Sequence, residues 1–281
     1  MKILLCNVAA GDDNEPFVMD MLLPAWEKNF ALVRDKDTEL TARFSRWGIH
    51  GQDAFFYHYM DTLNSQHVFQ AALHAQEEGY DGVLVMCFGD PMLDHIRQAI
   101  DIPVVGLGES AMYQAARMGN TFGIVAISEL NAIELNHTVH KLGLDEKFVG
   151  CESINETAME QGGALINAEH GIEHFQAAAR KLIDRGAEVI IPGCGILSPA
   201  LRLAIGCEDK YPNGITEVDG AAVVDIISTG LLSAQSAVKL AQSGSAWISR
   251  KNLYAQATEE ALESGKMTLE DERISFWEVE M

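Results

Sequence analysis

The chain has 281 residues, 48% hydrophobic and 22% charged, enough for one large or two modest globular domains. Its 20 basic and 41 acidic residues leave a formal charge of −21, a surface that repels nucleic acid and anionic membranes and argues against both as partners. The opening Met1-Lys-Ile-Leu-Leu-Cys-Asn-Val8 is too short for a signal-peptide core, and no stretch reaches the length of a membrane span. The expected location is therefore the cytoplasm, with Cys6, Cys87, Cys151, Cys194 and Cys207 reduced.

Lys2 to Val8 reads as a first strand ending at Asn7, followed by a polar loop over Ala9 to Asn14. Phe17, Met21, Leu22, Trp26 and Phe30 have helical spacing, and Glu39 to Trp47 alternate like a second strand. Phe55, Phe56, Tyr57 and Tyr59 cluster in an irregular stretch that reads as a loop packed on the core. Ser65 to Glu78 form a helix that feeds the apolar run Val83 to Met86. Such a run suits a parallel strand buried on both faces. Then come Cys87, a glycine, and Asp90-Pro91, which read as N-cap and first residue of a helix.

Pro103 to Leu107 is a short strand with a glycine turn at Gly106-x-Gly108, and Glu109 to Met118 is a helix. Thr121 to Ile127 is a strand ending at Ser128, Asn131 to Leu142 a helix and Phe148 to Ile154 a strand. Ala164 to Arg185 is a long helix leading to Glu188-Val-Ile-Ile-Pro-Gly-Cys194-Gly-Ile-Leu-Ser-Pro199, where Ser198 and Pro199 repeat the cap and helix start. Ala221 to Gln242 reads as a helix returning to the first half. The tail from Ser245 is polar and acidic, and is expected to pack outside as a helix and an extended end. Alternating strands and helices predict an α/β fold with parallel sheets. The repeated unit predicts two pseudo-symmetric Rossmann-like lobes, residues 1–113 with 222–281 and residues 114–221, with the active site in the cleft between them.

A lone cysteine in an apolar strand is usually a small core residue, and Cys6, Cys151 and Cys207 read that way. The duplicated strand–Cys–Gly–helix unit sets Cys87 and Cys194 apart, because strand carboxyl ends are where open α/β sheets bind ligands. A helix N-terminus lowers a thiol's pKa, so both are expected to be reactive near neutral pH. Two thiols on opposite sides of a cleft suit proton exchange across a planar carbanion. The backbone N–H groups of Phe88, Gly89 and Gly195 are candidates to hold the enolate oxygen, with no cofactor and no metal needed.

Cys87-Phe-Gly-Asp-Pro-x-Leu-Asp94, Ile102-Pro-Val-Val-Gly-x-Gly-Glu-x-Ala-Met112, Gly193-Cys-Gly195 and Val218-Asp-Gly-Ala-Ala222 resemble the hydantoin/allantoin racemase branch of the aspartate/glutamate racemase superfamily. The resemblance covers about residues 1–240. It implies an isomerase that racemises a small molecule without a cofactor through the Cys87–Cys194 pair, and a homo-oligomer. It adds Asn7, Ser128 and Gly193 to the substrate-contacting set. Hydantoin racemases carry Asn-Pro-Asn-Thr after the first strand, whereas this chain has Asn7-Val-Ala-Ala10, which points to a bulkier or less polar carbonyl substrate.

Rival readings are a maleate-type cis-trans isomerase using the same cysteines, with one adding to a double bond, and a two-lobe small-molecule binder without catalysis. His170-Gly-Ile-Glu-His174 fits the pattern of inverted zinc peptidases, but a solvated helix face explains so short a match better. Asp90 and Asp94 are possible bases, with capping the better account of Asp90, and Glu109 reads as structural.

Overall fold

The computed structural model describes residues 1–10, 15–46, 57–156, 162–269 and 276–281. Two five-stranded sheets share one plan. The first contains β1 (Lys2–Ala10), β2 (Glu39–Ser45), β3 (Gly82–Val85), β4 (Val104–Gly106) and a strand from the tail, β10 (Phe276–Glu280). The second contains β5 (Phe122–Ala126), β6 (Phe148–Ser153), β7 (Val189–Pro192), β8 (Glu217–Val218) and β9 (Ala221–Val223). Their orders are β10-β2-β1-β3-β4 and β6-β5-β7-β9-β8. Thus β1 and β5 occupy equivalent places, each flanked by the strand that follows it and by the strand that leads to a cysteine.

The inner pairings are parallel: Leu4 sits opposite both Thr41 and Val83, and Ile124 opposite both Cys151 and Ile191. One edge of each sheet departs from the all-parallel expectation. β10 runs antiparallel to β2 and β8 antiparallel to β9, because each is reached by a connection that doubles back rather than crosses over. The β10 edge is fastened by the buried Arg43 of β2, which bonds Glu278, Glu78 and the carbonyl of Ala71.

Helix α1 (residues 15–30) contains a π-helical stretch at Val18–Leu22 just before Pro24. Pro24 has no N–H for the helical ladder, and the wider turn absorbs the missing bond. α2 (His58–Leu73) begins earlier than the apolar pattern suggested. Tyr57 and Tyr59 are exposed at its start, so these two rings do not pack on the core; Phe55 and Phe56 lie outside the described residues.

Then follow α3 (Leu93–Ala99), α4 (Leu107–Met118), α5 (Glu129–Lys141), α6 (Glu169–Asp184), α7 (Leu197–Leu203), α8 (Ile226–Gln242) and α9 (Glu259–Leu269). The helix expected from Ala221 starts only at Ile226, capped by Asp225. Residues 221–223 instead pair with β7, since three small and β-branched residues carry no period to mark them as helix. α8 does return to the first sheet: Gly230 lies against Leu84 and Leu107 so closely that a methyl group would overlap Leu107.

One buried apolar cluster runs through both halves. It takes Leu5 and Leu84 from the first sheet, Ile124 and Ile191 from the second, and Trp26, Leu107 and Ile227 from the helices between. Separate clusters cover the outer faces, around Val68 and Ile96 on one side and Phe175 and Leu182 on the other. No helix among the described residues is long and apolar enough to cross a membrane.

Candidate active site

Cys87 follows β3 and Cys194 follows β7, so the two thiols leave equivalent strands. Each sulfur accepts a hydrogen bond from the backbone N–H two residues on, Gly89 for Cys87 and Ile196 for Cys194, the latter at 3.3 Å. Leu197 adds a second N–H to Cys194. The turns behind the thiols abut. A Cβ on Gly195 would lie 3.4 Å from the carbonyl oxygen of Met86, the residue before Cys87. Charge on Cys194 is felt at Cys87, where it opposes ionisation.

The other expected site residues gather at the same strand ends. Asn7 does not end β1, which runs on to Ala10, but follows Cys6, where the regular pairing with β2 breaks; it is buried and donates through Nδ2 to the Met86 carbonyl at 3.1 Å. Phe88 is buried and Gly89 exposed, its α-carbon turned so that a Cβ would sit 3.9 Å from the Cys87 sulfur. Gly193 donates to the Val125 carbonyl at 2.9 Å, and a side chain there would press on Ile124 and that same carbonyl. Ser128 is the N-cap of α5, its hydroxyl accepting from the Asn131 N–H at 3.1 Å.

The two expected caps are different from the sequence reading. Asp90 and Met92 both adopt left-handed backbone (φ 49° and 56°), which lengthens the turn, so α3 begins at Leu93 rather than at Pro91. The Asp90 carboxylate instead caps α4, eighteen residues on, accepting from the Gly108 N–H at 2.8 Å and the Glu109 N–H at 2.6 Å. Gly106-x-Gly108 is accordingly a strand-to-helix junction and not a free turn. A Cβ at Gly106 would fall 2.5 Å from the Asp90 carboxyl carbon, and one at Gly108 2.0 Å from the Phe88 carbonyl oxygen. Glu109 pairs with Arg97, as a structural residue should. Ser198 lies inside α7, buried, without a partner for its hydroxyl; the sulfur of Cys194 takes the capping place.

Burial also reverses the expected direction of the thiol pKa values. The Cys87 thiol is pushed up to about 12, burial outweighing the Gly89 N–H, with Asp90, Asp61 and Cys194 adding to the rise. Cys194 is raised as well, burial outweighing its two N–H donors, with Glu156 pushing the same way. Asp90 is raised to about 8 by burial and by Glu109. Asp94, the other candidate base, is bonded to Lys141 and to Tyr254 of the tail, which together outweigh burial and hold it below the usual range.

A sequence model described as Asp/Glu/Hydantoin racemase matches residues 31–225. The chain belongs to the Asp/Glu/hydantoin racemase family. It is 28% identical over 203 residues to a hydantoin racemase of Paenarthrobacter aurescens, covering 71% of this chain and 78% of the relative. It is 24% identical over 210 residues to a hydantoin racemase of a Pseudomonas species, covering 74% and 78%. An allantoin racemase from Klebsiella pneumoniae shares the two-lobe fold with a TM-score of 0.70 at 20% identity, over 92% of this chain and 94% of that one.

Three residues of this racemase escaped the sequence reading. Trp26 crosses from α1 to the second half and donates its indole N–H to the Gly195 carbonyl at 3.0 Å. Asp61 on α2 and Glu156 beyond β6 put one carboxylate in the field of each cysteine. Helical spacing marked Trp26 only as part of a helix, and nothing local marks a carboxylate whose partner lies far along the chain. Glu156 also meets both histidines of the 170–174 pattern.

Proposed function

We propose that this racemase exchanges the proton on a carbon next to a carbonyl, with Cys87 and Cys194 as the acid/base pair and without a cofactor. The observation that carries the reading is the matched pair of half-sites: equivalent strand ends, equivalent N–H···S contacts, and abutting turns. One cysteine, as thiolate, takes the proton, and the C–H electron pair moves onto the carbonyl oxygen as an enolate. The opposite thiol returns a proton to the other face, so the two sulfurs end with protonation states exchanged. Of the three amides expected to hold the enolate oxygen, that of Gly89 is taken by the Cys87 sulfur, which leaves those of Phe88 and Gly195 for this role. Asn7, Ser128 and Gly193 are assigned to substrate contact.

The substrate class that fits is a hydantoin-like ring, or a related small amino-acid derivative, given relatives named hydantoin racemase and allantoin racemase. Val8-Ala9-Ala10 argues for a less polar group beside Asn7. Division into lobes of 1–113 with 222–281 and 114–221 suits this reading, with the second crossing moved to about residue 224 because Ala221–Val223 pairs in the second sheet. Five cysteines, none in a disulfide, fit a reducing cytoplasm, and a homo-oligomer is assigned by family likeness.

The test uses single enantiomers of 5-substituted hydantoins in deuterated water, following loss of optical rotation and uptake of deuterium. Cys87→Ser and Cys194→Ser should each slow inversion by about 10²-fold or more. Each should still exchange deuterium into one enantiomer, a different one for each variant. If either variant inverts as fast as the parent, the two-thiol mechanism is wrong.

A further inference from the structure

We propose that Glu156, His170 and His174 form a binding site for one divalent cation of the zinc class, against the outer side of the Cys194 turn. This goes beyond the racemase reading, and its test reads bound metal rather than turnover.

The three side chains come from two separate stretches of chain and meet at one point. Each offers a ligand atom, and those atoms lie within 4.8 Å of one another. His170 and His174 are one helical turn apart on α6, so both rings project from the same face, with centroids 3.9 Å apart at 54°. Glu156 arrives from the segment after β6, its backbone N–H held by the Ile127 carbonyl at 3.1 Å. Its carboxylate is 2.7 Å from Nδ1 of His174 and its side chain is only 4% exposed.

The donor set selects the ion. Two imidazole nitrogens and one carboxylate oxygen suit zinc, cobalt or nickel, whereas magnesium and calcium prefer oxygen alone. Metal–ligand bonds of about 2.1 Å place tetrahedral ligand atoms about 3.4 Å apart. The observed ligand atoms, all within 4.8 Å of one another, bracket that spacing: the Glu156–His174 contact of 2.7 Å would open slightly and the exposed His170 ring would close in. His170 faces solvent, which leaves a fourth position for water, as in sites with three protein ligands. The glutamate is not the one the local sequence pattern suggests. Glu173 is exposed, and Glu156, eighteen residues before His174, takes its place. The site abuts the proposed active site, since Gly171 beside His170 packs near Leu197, the first residue of the helix that follows Cys194.

Purified protein stripped with a chelator is titrated with Co²⁺ and Zn²⁺ and followed by metal analysis and visible absorption. The expected result is one equivalent bound per chain, with a cobalt spectrum lacking a sulfur charge-transfer band. His170→Gln and His174→Gln should each lose that equivalent while keeping the parent circular dichroism. A Cys87→Ala/Cys194→Ala variant should retain it, which separates this site from binding by the cleft thiols. The proposal is overturned by no stoichiometric uptake, by uptake that survives both histidine changes, or by a thiolate band that disappears with the cysteines.

Discussion

Trp26→Phe tests whether the indole of α1 holds the Cys194 turn against the first half of the molecule. Trp26 is 1% exposed and donates to the Gly195 carbonyl at 3.0 Å. Removing the donor loses about 1 kcal/mol for the bond and leaves a partly buried carbonyl without that partner, which costs about 1 kcal/mol more. Phenylalanine also lacks three ring atoms of the indole, and their lost burial costs about 2 kcal/mol. The total is about 4 kcal/mol, a drop in melting temperature of roughly 8–16 °C for a chain of this size. Positioning should suffer separately. With the Cys194 turn released, kcat for racemisation should fall about tenfold or more. The control is Phe44→Leu. Phe44 stacks on Trp26 with ring centroids 6.3 Å apart, so this change also loosens the core but leaves the indole N–H in place. It should lose stability without a matching fall in kcat at a temperature where both variants are folded. A Trp26→Phe protein that melts within a degree or so of the parent, or one whose kcat falls no further than that of Phe44→Leu, would refute the argument.

Two further outcomes follow from packing and titration. Gly108→Ala sets a Cβ 2.0 Å from the Phe88 carbonyl oxygen and 3.1 Å from an Asp90 carboxylate oxygen, so backbone must move; differential scanning calorimetry should show a loss of about 2–4 kcal/mol, and an unchanged melting temperature would count against the junction described. The Cys6 thiol, fully buried in β1, is raised from 9.0 to about 12, so its contribution to stability is complete below pH 9 and is lost as pH climbs towards 12. Urea unfolding of Cys6→Ala should accordingly fall less steeply with pH above 9, by about 1.4 kcal/mol per pH unit, and parallel curves for parent and variant would contradict the shift.

What the sequence reveals is the part governed by local pattern. Val83 to Met86 and Val189 to Ile191 are short apolar runs with a cysteine, a glycine and a proline after them, and their likeness identifies the paired strand ends. What it hides is the part set by tertiary reach. Asp90 is a good capping residue beside a proline, so local rules assign it to the next helix; two left-handed residues delay that helix and free the carboxylate for α4. Ala221 to Val223 are too few to show a period, and pairing with β7 decides their conformation. The tail's extended end was legible as such, but not its partner: Val279 faces Ala42, more than two hundred residues earlier. His170 and His174 are marked by their spacing on one helix, while Glu156 becomes visible only when the segment after β6 folds beside them.

The thiols show how placement at a helix start and placement in a core compete. N–H groups of Gly89, Ile196 and Leu197 stabilise a thiolate, but burial opposes it more strongly, so the balance at both cysteines favours the thiol. On the proposed mechanism this has two consequences. A thiolate whose pKa is raised is a stronger base than an ordinary one, which suits removal of a weakly acidic proton from carbon, at the cost of a smaller ionised fraction. And because charge on Cys194 raises Cys87 further, the first ionisation suppresses the second. The pair therefore passes from two thiols to one thiolate and one thiol before any dithiolate forms. That singly ionised state is the one racemisation requires in either direction, since it carries one base and one proton on opposite sides of the substrate.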